Sequence, residues 1–417
     1  MIDASRPYAA QLAARADALS TLATHAGEPR DAATGALDPP LVLSSAFGFA
    51  SAEHAADAFE GKNEAYIYGR WGNPSVEALE QKLSALEGTE ATCATASGMA
   101  AISGAVMTYC DQGSHIVAPR SMYAESARLF RERLPRFGIT TTFVDARDAA
   151  AYASAITPKT RILYIETPAN PNLAISDVSA IVGLAKGHGL VTIADNTFAT
   201  PFAQTPHALG VDVIVHSMTK ALGGHGDAIG GCVCGRAADI AKIRDLVVKG
   251  FGGVLAPFNA FLVARGLRTF ALRQRQACES AAILAARLAK HPRVAKVHHP
   301  SLPSHPGHEL ARSQMHAYGA LLSFELAGDG AARATGEPAE SGALDAGRRA
   351  LARVRVVTHA VSLGDVRSLI VHPASTTHST MPREARELAN ITDGLLRVSV
   401  GIESVDDLWR DLDQAIA

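Results

Sequence analysis

Apolar positions in the central part of the chain follow two periods. In SVEALEQKLSALEG (75–88), Val76, Leu79, Leu83 and Leu86 recur at spacings of three and four and stop at Gly88. That pattern predicts an amphipathic helix closed by glycine. Beyond it come short, nearly continuous apolar runs: HIVAP (115–119), TTTFVD (140–145), RILYIE (161–166), LVTIAD (190–195) and VDVIVH (211–216). Charged, Ala-rich helical stretches separate most of them. Strands apolar on both faces, alternating with helices, predict an α/β fold whose parallel sheet is covered on both sides. Residues 230–235, GGCVCG, read as one further strand, and 258–290 as a long helix beginning after Pro257.

The flanks differ in texture. Residues 1–60 are Ala-rich and broken by Pro29, Pro39 and Pro40, which predicts a helix followed by an extended arm. After about residue 290 come the Pro- and His-rich HHPSLPSHPGHE, a strand-like ALLSFEL, a Gly/Ala/Glu segment at 327–347 and a last strand, LLRVSV. The 327–347 segment reads as a surface loop or helical linker. This divides the chain into an N-terminal arm (1–72), a central domain (73–270) and a C-terminal domain (271–417). The uncharged stretch from Ala91 to Cys110 has only Ile102 and Val106 from the Ile/Leu/Val/Phe group, so it predicts a buried turn and helix rather than a membrane span. No apolar leader follows Met1, where Asp3, Arg6, Arg15 and Asp17 intervene, and a cytoplasmic enzyme is expected.

Composition narrows the function. The 417 residues are 47% hydrophobic, and 39 Lys and Arg against 41 Asp and Glu leave a formal charge of −2. Such a chain can build a large core, and its balanced charge excludes a general role on nucleic acid or anionic membrane. Five cysteines make no disulfide framework. Cys232-Val-Cys234 lacks a second pair at zinc-site spacing and reads as core. In the histidine-rich 298–308 segment, Pro306 and Gly307 between His305 and His308 prevent helical ligand spacing, so a surface loop and no metal are expected.

In a parallel sheet, ligands bind beyond the carboxyl ends of the strands. Reading past each apolar run gives Glu166-Thr-Pro-Ala-Asn170, Asp195-Asn196-Thr197 and Ser217-Met-Thr219-Lys220. Ser97-Gly98-Met99 opens a helix, where backbone N–H groups favour phosphate, and Ser217 and Thr219 add hydroxyl donors. Asp195 at a strand end needs a cationic partner. A phosphate cradle, a lysine and an acid together fit pyridoxal 5′-phosphate, with Lys220 forming the Schiff base and Asp195 pairing with the pyridinium nitrogen. Neither nucleotide fingerprint, G-x-x-x-x-G-K-[ST] or G-x-G-x-x-G, occurs. The bland alternative, in which Asp195 caps a turn and Lys220 is a solvated surface lysine, does not account for four groups at strand and helix ends.

The run ADNTFATPFAQTPHALGVDVIVHSMTKALGGHGD (194–227) resembles the Cys/Met-metabolism, or trans-sulfuration, family of pyridoxal-phosphate enzymes. YGRWGNPS (68–75), SGMAAI (97–102), ETPANPN (166–172), VSLGDVRSLIVHPASTTH (361–378) and LLRVSVGIES (395–404) match in family order. The resemblance implies fold type I, the aminotransferase-like architecture, with a parallel-rich seven-stranded sheet and a smaller α+β C-terminal domain. It implies Lys220, Tyr123 and Asp195 as catalytic residues. Gly98, Met99, Ser217 and Thr219 become the phosphate cup, and Tyr123 the tyrosine stacked on the cofactor ring. Tyr68 and Arg70 resemble a pair that reaches a neighbouring subunit's phosphate, which implies a homodimer with shared sites and a homotetramer of such dimers. Arg397, with Asn170 and Ser362, resembles the grip on the substrate α-carboxylate.

The resemblance also bears on the substrate. Cystathionine-handling members tend to carry Glu before the serine at 362; here Val361 offers nothing to a distal ammonium. GGHGD and VSLGD resemble methionine γ-lyases, whereas HPASTTH leans toward homoserine-ester sulfhydrylases. The lyase pattern Tyr-Gly-Cys reads Tyr123-Ala124-Glu125, which puts a carboxylate, Glu125, beside the ring-stacking position as a candidate substrate contact or interface residue. The expected reaction is methionine γ-lyase-type elimination to 2-oxobutanoate, ammonia and a thiol. The alternatives are γ-replacement on an O-acyl-homoserine and cystathionine γ-lyase chemistry. A catalytically silent scaffold is the competing class, and intact Lys220, Asp195, Tyr123 and Arg397 argue against it.

Overall fold

A computed structural model describes residues 1–3, 5–327, 339–379 and 381–417. Seven strands form the larger sheet: β1 (Ala91–Thr95), β2 (His115–Pro119), β3 (Thr140–Val144), β4 (Thr160–Glu166), β5 (Val191–Asp195), β6 (Val213–Ser217) and β7 (Gly231–Gly235). Their order is β1-β7-β6-β5-β4-β2-β3; only β7 runs antiparallel to its neighbours. Strands β2, β4, β5 and β6 pair in parallel, as their two-sided apolar runs require. Helices seal both faces. One face carries a core with Leu79, Leu83, Leu163, Ile165 and Ile214, the other a core with Ile102, Val106, Ile116, Ile162 and Val215. Odd and even residues of the same strands thus feed two different cores.

Strand β1 is a correction to the turn-and-helix reading of 91–110. Ala-Thr-Cys-Ala-Thr carries no apolar run, and its strand conformation comes from pairing with β7, whose residues lie far along the chain. The helix that follows, Gly98–Tyr109, is as expected. The long helix expected over 258–290 is two helices, Pro257–Leu267 and Phe270–Leu288. No proline marks the break. Arg273 reaches back across it to the carbonyls of Gly266 and Ala221, a tertiary bond invisible to periodicity.

A second sheet holds β8 (Val294–His298), β9 (Leu321–Leu326), β10 (Thr358–His359), β11 (Leu369–Val371) and β12 (Leu395–Ser399), in the order β10-β11-β12-β9-β8. Helix Phe270–Leu288 joins the two bodies: Phe270, Ala271 and Cys278 pack in the first core, Ala281, Leu284 and Leu288 in the small-sheet core. Helix Tyr8–His25 buries Leu12, Ala16, Leu19 and Ala23 in the large core, so the first part of the arm is integral to it. Of the 327–347 segment, 328–338 lie outside the described residues, and 339–347 belong to helix Ala339–Arg353.

The histidine-rich segment is not simply a surface loop. His299 and His305 are buried, and burial lowers their pKa to about 3 and about 4, so both are neutral. Cys232 and Cys234 lie buried on β7 with their sulfurs 4.0 Å apart. No helix among the described residues is long and apolar enough to cross a membrane.

Candidate active site

The carboxyl ends of β4, β5 and β6, the start of helix Gly98–Tyr109 and the loops of the small sheet border one solvent-open cavity. Lys220 stands in the turn after β6. Its backbone N–H donates to Ser217 O, and its carbonyl accepts from Gly224. Gly364 of the small-sheet loop comes so near this turn, with φ of 75°, that a Cβ would lie 2.3 Å from Ala221 N. Glycine there lets the 361–364 loop press on the lysine turn. As a result the Lys220 Nζ donates to Ser362 Oγ at 3.0 Å. Burial, then the nearby Arg397 charge, depress the Lys220 pKa, which favours the neutral amine.

Asp195 ends β5, and its Oδ1 accepts the Thr197 N–H at 3.0 Å. Thr197 in turn accepts the Ser217 N–H at 2.9 Å, tying the ends of β5 and β6 together. Burial raises the Asp195 pKa, and among the described residues no lysine or arginine ion-pairs with it. Glu166 ends β4 in register with Asp195. Its Oε2 accepts the Tyr123 N–H at 2.8 Å and its Oε1 the Asn170 N–H at 2.9 Å. Burial and the Asp195 charge push the Glu166 pKa up to about 8.

Arg397 sits mid-strand on β12, paired with Ser323 of β9 and Val371 of β11. Its Nη1 donates to Asn170 Oδ1 at 2.8 Å and its Nη2 to Ser362 O at 3.0 Å. Burial lowers its pKa to about 10, so it stays protonated at neutral pH. Its Nε is buried with no partner among the described residues. A guanidinium with an unused donor suits an incoming carboxylate. Tyr123 stands half-exposed at the mouth, and burial followed by the charges of Glu125, Asp195 and Glu166 raises its pKa.

The donor set fits pyridoxal 5′-phosphate. Ser97 caps its helix by accepting the Ala100 N–H, and the first N–H groups of a helix have no intrahelical acceptor. A Cβ on Gly98 would sit 2.8 Å from the Ser217 Cβ, so the helix start and that serine share one tight concavity. Gly98, Met99, Ser217 and Thr219 all line the cavity there, with Lys220 and the buried Asp195.

Of the residues expected at the site, Gly98, Met99, Tyr123, Asn170, Asp195, Ser217, Thr219, Lys220, Val361, Ser362 and Arg397 converge on this cavity. Glu125 does not. Its carboxylate lies 3.8 Å from Arg128 and 3.5 Å from Arg133 on the following turns, outside the cavity lining. Tyr68 and Arg70 are not in the cavity either. Arg70 lies over the Tyr68 ring and donates to Lys249 O. Sequence reasoning gave no role to Glu166, Thr197, Phe198, Ile229 or Thr377, all of which line the cavity. For Glu166 a signal existed: it ends its apolar run as Asp195 ends the next.

The family model for Cys/Met metabolism PLP-dependent enzymes matches residues 20–417. An L-methionine gamma-lyase of Fusobacterium nucleatum subsp. nucleatum is 43% identical over 400 residues, covering 95% of this chain and 98% of its own. A cystathionine beta-lyase of Coxiella burnetii is 39% identical over 400 residues, covering 95% and 97%. Among solved structures, cystathionine gamma-lyase from Lactobacillus plantarum complexed with L-serine superposes with a TM-score of 0.86 at 38% identity, over 95% of this chain and 98% of that one. Cystathionine gamma synthase from Xanthomonas oryzae pv. oryzae gives 0.87 at 38% identity, over 95% and 97%. The chain belongs to the Cys/Met metabolism PLP-dependent enzyme family and is a pyridoxal-phosphate enzyme of sulfur amino-acid metabolism.

Proposed function

We propose that this enzyme eliminates the γ-substituent of L-methionine or a similar amino acid: methionine and water give 2-oxobutanoate, ammonia and methanethiol. The observation that carries the reading is the cavity wall. Ile102, Phe198, Ile229, Val361 and Leu363 line it, and its two carboxylates, Asp195 and Glu166, both lie at the strand ends. A distal ammonium would meet no acceptor on that apolar wall, whereas a thioether or ester needs none. The methionine gamma-lyase relatives support the same choice. Elimination is favoured over γ-replacement on an O-acyl-homoserine, which the same wall would accept.

Bound pyridoxal phosphate supplies an electron sink for the substrate α-carbon. In this reading Lys220 holds the cofactor, and its depressed pKa equips the freed amine to take the α-proton and later return one. Ser362 holds the Lys220 Nζ through its hydroxyl and Arg397 through its carbonyl, so base and substrate grip share one anchor. Asp195, at the cavity floor, would pair with the pyridinium nitrogen, whose positive charge would favour the ionised carboxylate that burial alone disfavours. Arg397 and Asn170 would take the α-carboxylate, and Tyr123 would cover the cofactor ring and assist proton transfer at the leaving group. Tyr68 and Arg70 act on a neighbouring subunit's cofactor phosphate in a homodimer, two of which form a homotetramer. The test is incubation with L-methionine, cystathionine, O-acetylhomoserine and O-succinylhomoserine, with and without sulfide. Oxo acid from methionine without sulfide is expected. Thioether or thiol amino-acid product that forms only from the esters with added sulfide would overturn the elimination reading.

A further inference from the structure

Glu166 is a titratable side chain only 3% exposed, and it forms no ion pair among the described residues within hydrogen-bond distance. Its cost of burial is met by two backbone donors. One is the Tyr123 N–H, from the loop after β2; the other is the Asn170 N–H, from the loop after β4. Each carboxylate oxygen takes one of them. Ser121 adds a weaker tie between the same loops, donating to Asn170 O at 3.2 Å and to Asn172 Oδ1 at 3.0 Å, but it does not hold Tyr123.

We propose that Glu166 is a positioning residue whose single carboxylate fastens Tyr123 and Asn170 to the end of β4, so that ring cover and carboxylate grip are set by one group. The inference rests on the roles given above to Tyr123 and Asn170. Two acceptors are needed at once, which makes the side chain hard to replace. Glutamine keeps one acceptor but turns an NH₂ toward the other N–H, so one loop must move. Aspartate keeps both oxygens but is one methylene shorter and cannot reach both N–H groups. A buried N–H left without its acceptor is costly enough to displace the loop.

Glu166→Gln and Glu166→Asp test this in the holoenzyme, alongside wild type. Far-UV circular dichroism and thermal melting check folding. Borohydride reduction with peptide mass mapping checks separately that the cofactor is on Lys220; its absence there in wild type would overturn the cofactor assignment itself, not this inference. The decisive readouts are the visible circular dichroism of the bound cofactor and the affinity for L-norleucine, which has a methylene where methionine has sulfur. Both variants should keep the cofactor, with an altered visible band and L-norleucine affinity weaker by roughly ten- to a hundred-fold. With L-methionine, KM should rise more than kcat falls. Wild-type visible dichroism and wild-type L-norleucine affinity, with only a lowered melting temperature, would overturn the proposal and leave Glu166 a packing residue. If the glutamine variant does not fold, the aspartate variant carries the same test.

Discussion

The floor and the mouth of the cavity are built differently. At the floor, Glu166, Arg397 and Asp195 are 3%, 4% and 8% exposed, and each is held by backbone or side-chain bonds at the end or middle of a strand. At the mouth, Tyr123, Ile229 and Val361 are 42%, 60% and 64% exposed. Val361 and Ile229 sit on loops and carry no polar group. Strand ends are rigid, so charges placed there keep their geometry without reorganising during reaction. Apart from Tyr123, the mouth offers only shape and apolarity. In the function proposed above, most of the chemistry would fall to the floor and substrate choice to the mouth. Neighbours of the same overall fold carry different activities, one a lyase and one a synthase.

Changes at the floor should be the most damaging. Lys220→Ala removes the base and the cofactor linkage, and turnover should fall by at least the order of 10²–10⁴ expected of a general base. The variant should still take up cofactor through the Gly98, Met99, Ser217 and Thr219 cradle, measured by equilibrium binding. Mixed with Arg70→Ala subunits, it should regain partial activity in hybrids if Arg70 serves its neighbour; none after verified subunit exchange would place each site within one chain. Arg397→Ala strips a buried grip of one partner. Such truncations cost about 2–5 kcal/mol, roughly 30- to 5,000-fold in kcat/KM, and the loss should fall mainly on KM.

At the mouth the effects should be smaller and change preference rather than competence. Val361→Glu gives a distal ammonium its missing acceptor. The ratio of kcat/KM for cystathionine over methionine should rise by about ten- to a hundred-fold, from the contribution of a hydrogen bond to a charged group. An unchanged ratio would show that the wall at 361 does not face the substrate's far end. Glu125→Ala should do least. Its partners are solvent-exposed arginines, and such pairs contribute about 0–1 kcal/mol, so stability and substrate ratios should stay within about a few fold. Lost activity toward a substrate with a distal ammonium would instead return Glu125 to the site.

The apolar runs of β2, β4, β5 and β6, and the acids, hydroxyls and lysine that follow them, were readable from local pattern. A strand buried on both faces must be apolar throughout, and the residue after it must lie at a sheet edge. Asp195, Ser217 and Lys220 are legible for that reason. Other features depend on partners remote in sequence. Strand β1 has no apolar run and exists through β7; the break at Arg268–Thr269 follows from Arg273 reaching back across it. Glu125 and Glu166 show the limit most directly. Both are glutamates near Tyr123, and sequence reasoning singled out the first. Only the tertiary structure shows how their surroundings differ, because packing decides which donors face a carboxylate: two arginines in solvent for Glu125, two buried backbone N–H groups for Glu166.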